Sequence, residues 1–395
     1  KRIANNQPVF DTQLFEWMQT TLLDAFRSGW TGSRVQLADL GFDYGLTNEV
    51  AQTMMETNLF HFSAAKTLAE CQELNSLFRA APNFSSFKAE AEKVTSLFNE
   101  QWMRTEYDTA VLTAESSATY YRLKEQTDVF PYWQYKTAGD SHVRHEHALL
   151  DGLILPANDP RWEKIMPPNG WNCRCYIVPR TRAEVEGVNF AEQRKKADNY
   201  LAGEAFKKDA AQGWGVNRAE LKQVFSEDQF YMRKFPGKAS KQLNKMTAQK
   251  WGLNSISTGM KQGLNPLPKY TGTVSEWKDQ AEKLAGDVIL KDYNKRSLVL
   301  TQSNFKAHTT GKRDNRVAYL NAMRETLIRP DEVWIAGSGL AEYRLLKYYT
   351  DEVLVVVAKV EGGTVNYVQT WFPMNLKSKV IDKFRSGLLI KKPST

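Results

Sequence analysis

Cysteine is scarce in this chain: three among 395 residues, at Cys71, Cys173 and Cys175. Three cannot build a disulfide framework, and Cys173 and Cys175, one residue apart, are too close to bridge without strain. A reducing compartment is therefore expected. Histidine is almost as rare, with five. No apolar run reaches the roughly 18 residues that a membrane span needs. The basic opening KRIANNQPVF lacks the apolar stretch of a signal peptide, so none is expected. No internal repeat is found. What the chain does have is 42% hydrophobic residues and eleven tryptophans, ample for ordinary buried cores. Its length suggests two or three domains.

Charge is unevenly spread. Residues 1–260 carry 31 Lys+Arg and 31 Asp+Glu, whereas residues 261–395 carry 22 and 14, so the whole formal excess of +8 lies in the last third. A basic segment on a neutral chain points to a polyanionic partner such as DNA or RNA. A solvated basic surface is the plainer alternative.

The first part reads as long helices packed side by side. Leu14, Trp17, Met18, Leu22 and Phe26 recur at helical spacing, with Gly29 as the expected stop. Residues 46–80 form a second helical stretch, with Met54, Leu59, Phe62, Ala65 and Leu68 along one stripe. A break at Pro82 and Asn83 precedes a largely helical stretch to residue 125, with Ser85 or Ser86 as caps. From Val129 the texture turns to strand-like YWQYKT, then to loops rich in Pro, Asn, Asp and Gly, and closes on strand-like CRCYIVPR. Residues 181–265 are polar and helical by turns, and NSISTGMKQGLNPLPK (254–269) has linker composition.

The last segment changes class. Residues 313–330 predict an amphipathic helix stopped by Pro330. Four strands follow, in EVWIAG, YRLLKYY, EVLVVVAKV and TVNYVQTWF, the last two as a hairpin about the EGGT turn at 361–364. This predicts an α+β domain with an antiparallel four-stranded sheet, able to fold alone.

Two of the three cysteines lie in PPNGWNCRC (167–175), and three of the five histidines in DSHVRHEH (140–147). His147, Cys173 and Cys175, with His142, His145 or Asp151 as a fourth ligand, are candidates for a tetrahedral structural zinc site. The spacing argues the other way, since C-x-C on a strand sends its sulfurs to opposite faces. One alternative is a buried cysteine packed as a small hydrophobe, with Arg144 and His147 tying loops together. Another is a Cys173–His147 nucleophile pair, for which no third orienting residue is evident.

The stretch PYWQYKTAGDSHVRHEHALLDGLILPANDPRWEKIMPPNGWNCRC resembles the Mu F-like minor head protein family of tailed phages. The matching features are Asp140, Arg144 and His147, then LDG at Leu150–Gly152, DPRW at Asp159–Trp162, and PPNGWNCRC at Pro167–Cys175. The resemblance covers roughly residues 45–180, including RTEYDTA at 104–110. It implies a virion protein inside the phage head near the portal, with portal and head proteins as partners and roles in assembly and genome ejection. It implies no catalytic activity for the cysteine–histidine cluster.

The C-terminal segment resembles the phage-associated nucleases of the Barnase–EndoU–colicin–RelE group. The resemblance rests on ETLIRPDEVW (325–334), the strand bearing Tyr343, Arg344, Lys347 and Tyr348, TWFP (370–373) and FRSGLLI (384–390). It implies a metal-independent endoribonuclease or toxin-like effector, with an immunity protein as a further partner. Such RNA cleavage needs a base, an acid and cations for the phosphorane. The candidates are His308, Arg344, Lys347, Tyr348, Thr370 and Arg385, with Glu325, Glu342, Lys347 or a tyrosine partnering the one histidine. Arg344 and Lys347, three apart, fall on opposite faces of an unbulged strand. No carboxylate cluster or metal motif suggests a metal-dependent DNase, and no cofactor is expected. A structural head protein that binds DNA or the portal without catalysis is the alternative, and an ADP-ribosyltransferase effector a weaker one.

The domains expected are a helical arm at 1–44, a mainly α-helical Mu F-like domain with a small β/loop region at 45–180, a helical linker region at 181–265, and the nuclease-like domain at 266–395. The expected location is the virion interior, with the host cytoplasm during assembly and after ejection.

Overall fold

The computed structural model describes residues 10–38, 46–97, 100–233, 241, 243–253, 265–310, 316–337, 341–361, 365–376, 378 and 380–393. The chain groups into two compact units: Lys1–Tyr44 with Met55–Lys234, and Gly45–Met54 with Phe235–Thr395. The linker composition at 254–269 lies mostly outside the described residues.

In the first unit, α1 (Thr12–Ala38) lies along α4 (Glu100–Glu125). Its buried stripe is Phe15, Met18, Leu22, Ala25, Phe26 and Trp30, while Trp17 is exposed, so the core face is rotated from the one expected. Gly29 does not stop the helix. A Cβ there would lie 2.4 Å from the Val111 carbonyl oxygen on α4, so the missing side chain lets the two backbones approach.

The helix α2 (Leu46–Ala80) is continuous, as its spacing predicts, and α3 (Phe84–Leu97) follows the Pro82–Asn83 break. The cap is Asn83, whose Oδ1 accepts from the Ser86 N–H at 2.9 Å, rather than either serine. Arg27 pairs with Glu56 at 2.9 Å between α1 and α2. Lys66 on α2 reaches both oxygens of Glu106 on α4, at 2.7 and 2.6 Å. Both partners are buried, and a charge so placed is tolerable only because it is paired.

Three short antiparallel strands follow: β1 (Tyr132–Lys136), β2 (Ile154–Pro156) and β3 (Tyr176–Arg180), in the order β2–β1–β3. Between them lie the single-turn helices α5 (His145–Ala148) and α6 (Trp162–Ile165). The helices α7 (Phe190–Ala202), α8 (Glu204–Ala210), α9 (Arg218–Leu221) and α10 (Phe230–Arg233) complete this unit rather than leaving it. The Asn58 amide on α2 pairs with both backbone groups of Phe225, at 2.8 and 2.9 Å, and Phe62 stacks on the Phe225 ring with centroids 4.0 Å apart.

The second unit holds an eight-stranded sheet among the described residues, where four antiparallel strands were expected. In chain order come α11 (Val274–Asp279), β4 (Glu282–Leu284), β5 (Asp287–Lys291), β6 (Ser297–Leu300), α12 (Gln302–Thr309), α13 (Leu320–Ile328), β7 (Glu332–Ala336), β8 (Glu342–Tyr348), β9 (Glu352–Glu361), β10 (Val365–Asn375), α14 (Ile381–Phe384) and β11 (Leu388–Lys391). The sheet order is β11–β7–β8–β9–β10–β6–β5–β4. The four expected strands are its centre, β7 to β10. The additions are three- to five-residue strands, too short to carry a clear alternation. The expected hairpin joins β9 and β10, and its turn at 362–364 lies outside the described residues. One pairing is parallel, β10 with β6, through Tyr367 opposite Val299.

The first turns of α2 and the chain from Phe235 group with residues 266–395 in this unit, a wider set than the domain expected. Glu49 accepts the Ser297 N–H at 2.6 Å and pairs with Lys291 at 3.4 Å, and Thr53 Oγ1 accepts from Asn366 at 2.9 Å. Removing the Glu49 acceptor leaves a backbone donor unsatisfied. Glu49→Ala is expected to lower the stability of this unit by about 1–3 kcal/mol. Hydrogen exchange of β5, β6 and β10 in rising urea measures it, and unchanged protection would detach α2 from the unit.

Candidate functional site

Three strands build the first candidate site. Arg344 on β8 pairs with Val357 on β9, which pairs with Thr370 on β10, so these side chains share one face. Two strand spacings place the backbones of Arg344 and Thr370 about 10 Å apart. Glu342, on the same face as Arg344, accepts from its Nε at 2.7 Å and lies 3.5 Å from Lys359 Nζ. The second Arg344 contact is with the Lys383 carbonyl at 2.7 Å, and its guanidinium lies over the Phe384 ring.

The register of β10 shifts between Val368 and Thr370, so Gln369 is an extra residue in the strand. His308, in the last turn of α12, places its Nε2 3.3 Å from the Gln369 carbonyl and its ring edge-on to Trp371. Arg316 joins these parts. Its Nη1 donates to Thr370 Oγ1 and, at 2.7 Å, to the Trp371 carbonyl; its backbone N–H donates to the His308 carbonyl at 2.8 Å; and its guanidinium lies over Phe372. Sequence reasoning missed Arg316. The signal was there in RDNR, a basic run directly before the helix, though nothing in it says which arginine faces β10. Lys312 and Arg313, the basic residues that follow His308 most closely in sequence, lie outside the described residues.

The remaining predicted residues fall elsewhere. Lys347 is on the opposite face of β8, as its spacing from Arg344 requires, 3.6 Å from Glu325 and 3.1 Å from the Arg329 carbonyl. Arg385 is buried with its Nε and Nη2 on the Glu332 carboxylate at 2.7–3.2 Å, and Trp334 Nε1 donates to the same carboxylate at 2.9 Å. Burial alone would lower the Arg385 pKa, but hydrogen bonding to Glu332 together with the charges of Tyr348, Glu332 and Asp382 raises it and keeps the guanidinium charged. Tyr348 is buried beside that pair; burial raises its hydroxyl pKa well above the ordinary value, and the Glu332 charge adds to the rise. The six residues thus separate into His308 and Thr370 with Arg344 across the face, Lys347 behind it, and Tyr348 with Arg385 in the interior. Glu332→Leu or Arg385→Leu alone should cost about 3–5 kcal/mol, and the double replacement far less, because only the single changes strand a buried charge. Denaturant unfolding of the three variants checks this.

The second candidate site is the cysteine–histidine cluster. The strand β3 begins only at Tyr176, and Asn172 has a positive φ of 56°, so Cys173 and Cys175 lie on an irregular turn. Both sulfurs face one atom. Cys173 Sγ is 3.6 Å and Cys175 Sγ 3.8 Å from His147 Nδ1, which overturns the expectation of opposite faces. One ligand atom from each of the three residues lies within 4.8 Å of the others.

The neighbouring motif residues hold this turn. Arg144 donates to the Trp171 carbonyl at 2.8 Å, and a Cβ on Gly170 would sit 2.7 Å from the Arg144 guanidinium. Only glycine leaves that space open. A hydrogen bond from Cys175 lowers the Cys173 pKa well below its ordinary value, against the effect of burial and with help from His147. Cys175 is raised by its place beside that sulfur, so the pair favours a single negative charge.

A cavity of about 20 Å³, lined by His142, Arg144, His147, Cys173 and Cys175 among others, adjoins the cluster. It has room for one water-sized occupant and none for a substrate at Cys173. Of the three fourth-ligand candidates, His142 lines this cavity. Asp151 is held by the Thr137 N–H at 2.8 Å and by Lys136 at 3.1 Å, and His145 is exposed. Two thiols and an imidazole around one small space are a donor set suited to zinc.

Comparison with known proteins matches each unit to a phage family. Residues 78–178 match the family described as Phage Mu protein F like protein, and residues 275–391 match the family described as phage-Barnase-EndoU-ColicinE5/D-RelE like nuclease2. The chain thus joins a region similar to phage Mu protein F to one similar to a phage nuclease-like family. Among individual proteins, it is similar to the "Putative capsid assembly protein F" of Escherichia phage Mu, 27% identical over 179 residues, 40% of each chain. It is also similar to the "Mu-like prophage FluMu F protein" of Haemophilus influenzae, 41% identical over 75 residues, 19% of this chain and 18% of that one. The chain spans less than half the length of these curated relatives. No solved structure matches it. No helix among the described residues is long and apolar enough to cross a membrane.

Proposed function

We propose that this is a minor head protein of a tailed phage, placed inside the head near the portal, with roles in capsid assembly and genome ejection, and that its C-terminal unit is a metal-independent RNase-like effector. The observation that carries the enzymatic part is the convergence of Arg316, Thr370 and His308 beside Gln369, with Arg344 and Glu342 across the same sheet. On this reading Arg316 and Arg344 neutralise the phosphorane over Thr370. Glu342 takes the 2′-hydroxyl proton, the 2′-oxygen attacks phosphorus, and His308 protonates the departing 5′-oxygen. The positive excess of the last third favours a nucleic-acid partner. Portal and head proteins are the assembly partners, host RNA is the target after ejection, and an immunity protein would protect the producing cell.

The test is RNA cleavage by the full chain with and without chelator. Cleavage should survive chelator and fall by about 10²–10³ in Arg316→Ala or Arg344→Ala. Lys347→Ala, on the reverse face, should stay close to wild type. Intact RNA at high protein concentration, with salt-sensitive DNA binding in its place, would reassign the unit to DNA binding within the head.

For the first unit we propose a structural zinc on His147, Cys173 and Cys175, with His142 closing the tetrahedron across the shared cavity. Such a centre would pin the turn at 167–175 to α5 and supply no chemistry. Elemental analysis should find one zinc per chain, lost in Cys173→Ser, and chelation should lower the unfolding midpoint of the first unit. Protein that takes up no zinc when supplied with it would return Cys173 to a packing role.

A further inference from the structure

His147 has a second polar atom to satisfy. Its Nδ1 faces the two sulfurs, while its Nε2 is buried and has no hydrogen-bond partner among the described residues. If Nδ1 ligates a metal, the ring proton must sit on Nε2. A buried N–H without an acceptor costs about 1–3 kcal/mol. Metal-bound histidines usually give that proton to a carboxylate or carbonyl, which fixes the tautomer and the ring orientation.

Two carboxylates are near enough to serve. A ring nitrogen of His147 and one carboxylate oxygen each of Glu146 and Asp209 all lie within 4.8 Å of one another. Glu146 is the chain neighbour of His147 in the single turn of α5, and adjacent residues on a helix do not face each other. Asp209 comes from a separate element, α8, so the neighbour rule that turns Glu146 away from the ring does not apply to it. Its backbone is well fixed: the Asp209 carbonyl accepts from Gln212 at 2.9 Å and from Trp214 at 3.0 Å. The Trp214 ring packs edge-on against Trp171, centroids 5.3 Å apart, two residues before Cys173. The end of α8 is thereby clamped to the loop that carries the cysteines.

We propose that Asp209 is the positioning carboxylate of this metal centre, accepting the Nε2 proton of His147 and so presenting Nδ1 to the zinc. This rests on the zinc reading above. It gives residues 204–214, outside both the phage-family match and the expected Mu F-like region, a direct part in the site.

The test is zinc affinity of the full chain by competition with a chromophoric chelator, together with the absorption spectrum of the cobalt-substituted protein. Asp209→Ala should weaken zinc by about 10–100-fold and shift the cobalt–thiolate bands. Asp209→Asn, which keeps a carbonyl acceptor, should recover most of the affinity, and Glu146→Gln should stay near wild type. Unchanged affinity and spectrum in Asp209→Ala, or a larger loss in Glu146→Gln than in Asp209→Ala, would overturn the assignment while leaving the zinc in place. Equal losses in the alanine and asparagine variants, with unperturbed cobalt bands, would reduce Asp209 to a packing role. A wild-type chain that binds no zinc would be a separate result, removing the centre itself.

Discussion

The candidate nuclease face depends on one irregularity in a hydrogen-bond ladder. A regular β10 would keep its alternation throughout, although β6, ending at Leu300, would still leave its edge uncovered beyond Val368. Instead β10 meets β6 at a single pair, Tyr367 with Val299, and slips register one residue past Val368. The uncovered edge leaves the Gln369 and Trp371 carbonyls needing partners, and a buried or half-buried carbonyl without one is costly. His308 and Arg316 meet those two carbonyls. The need to satisfy a broken ladder thus brings a histidine and an arginine beside Thr370. Bulges recur next to active sites because they re-aim side chains in this way.

The first unit solves a related problem by other means. Two sulfurs one residue apart converge on one imidazole only because the chain turns at Asn172 before it enters β3. That turn is held by Arg144, whose guanidinium occupies the space that Gly170 leaves empty. The motif PPNGWNCRC therefore describes a loop that seats an arginine, with the cysteine geometry as its result.

Much of this was legible in the sequence. The hydrophobic spacing placed α2, the strands β7 to β10 and the break before α3, because each is long or sharply punctuated. The motif order identified the phage Mu F-like and nuclease-like regions. Three kinds of information were not legible. Short strands such as β4 and β6 have too few residues to reveal a period, so the sheet looked half its size. C-x-C was read as strand because the residues after it are strand, and the positive φ of Asn172 has no marker in composition. The roles of Arg316, Glu332 and Asp209 depend on partners distant in the chain, and single-sequence patterns do not record such pairs. Arg385 shows the same limit from the other side: its charge suggested a phosphate ligand, and its position commits it to Glu332.

The sharing of α2 between the units also sets an order of events. Glu49 meets Ser297 across 248 residues, and Thr53 meets Asn366 across 313. A ribosome releases the first partner of each pair long before the second, so the nuclease-like sheet cannot close until the segment carrying Asn366 has emerged. Pairings of such separation also slow folding, since the loop must be closed before the contact is gained. A unit built this way closes only once both partners of each distant pair are available. A single cut between the two units would leave it without the helical turn that Ser297 and Asn366 bind, so liberation by proteolysis and retention of the intact fold are opposed by the connectivity itself.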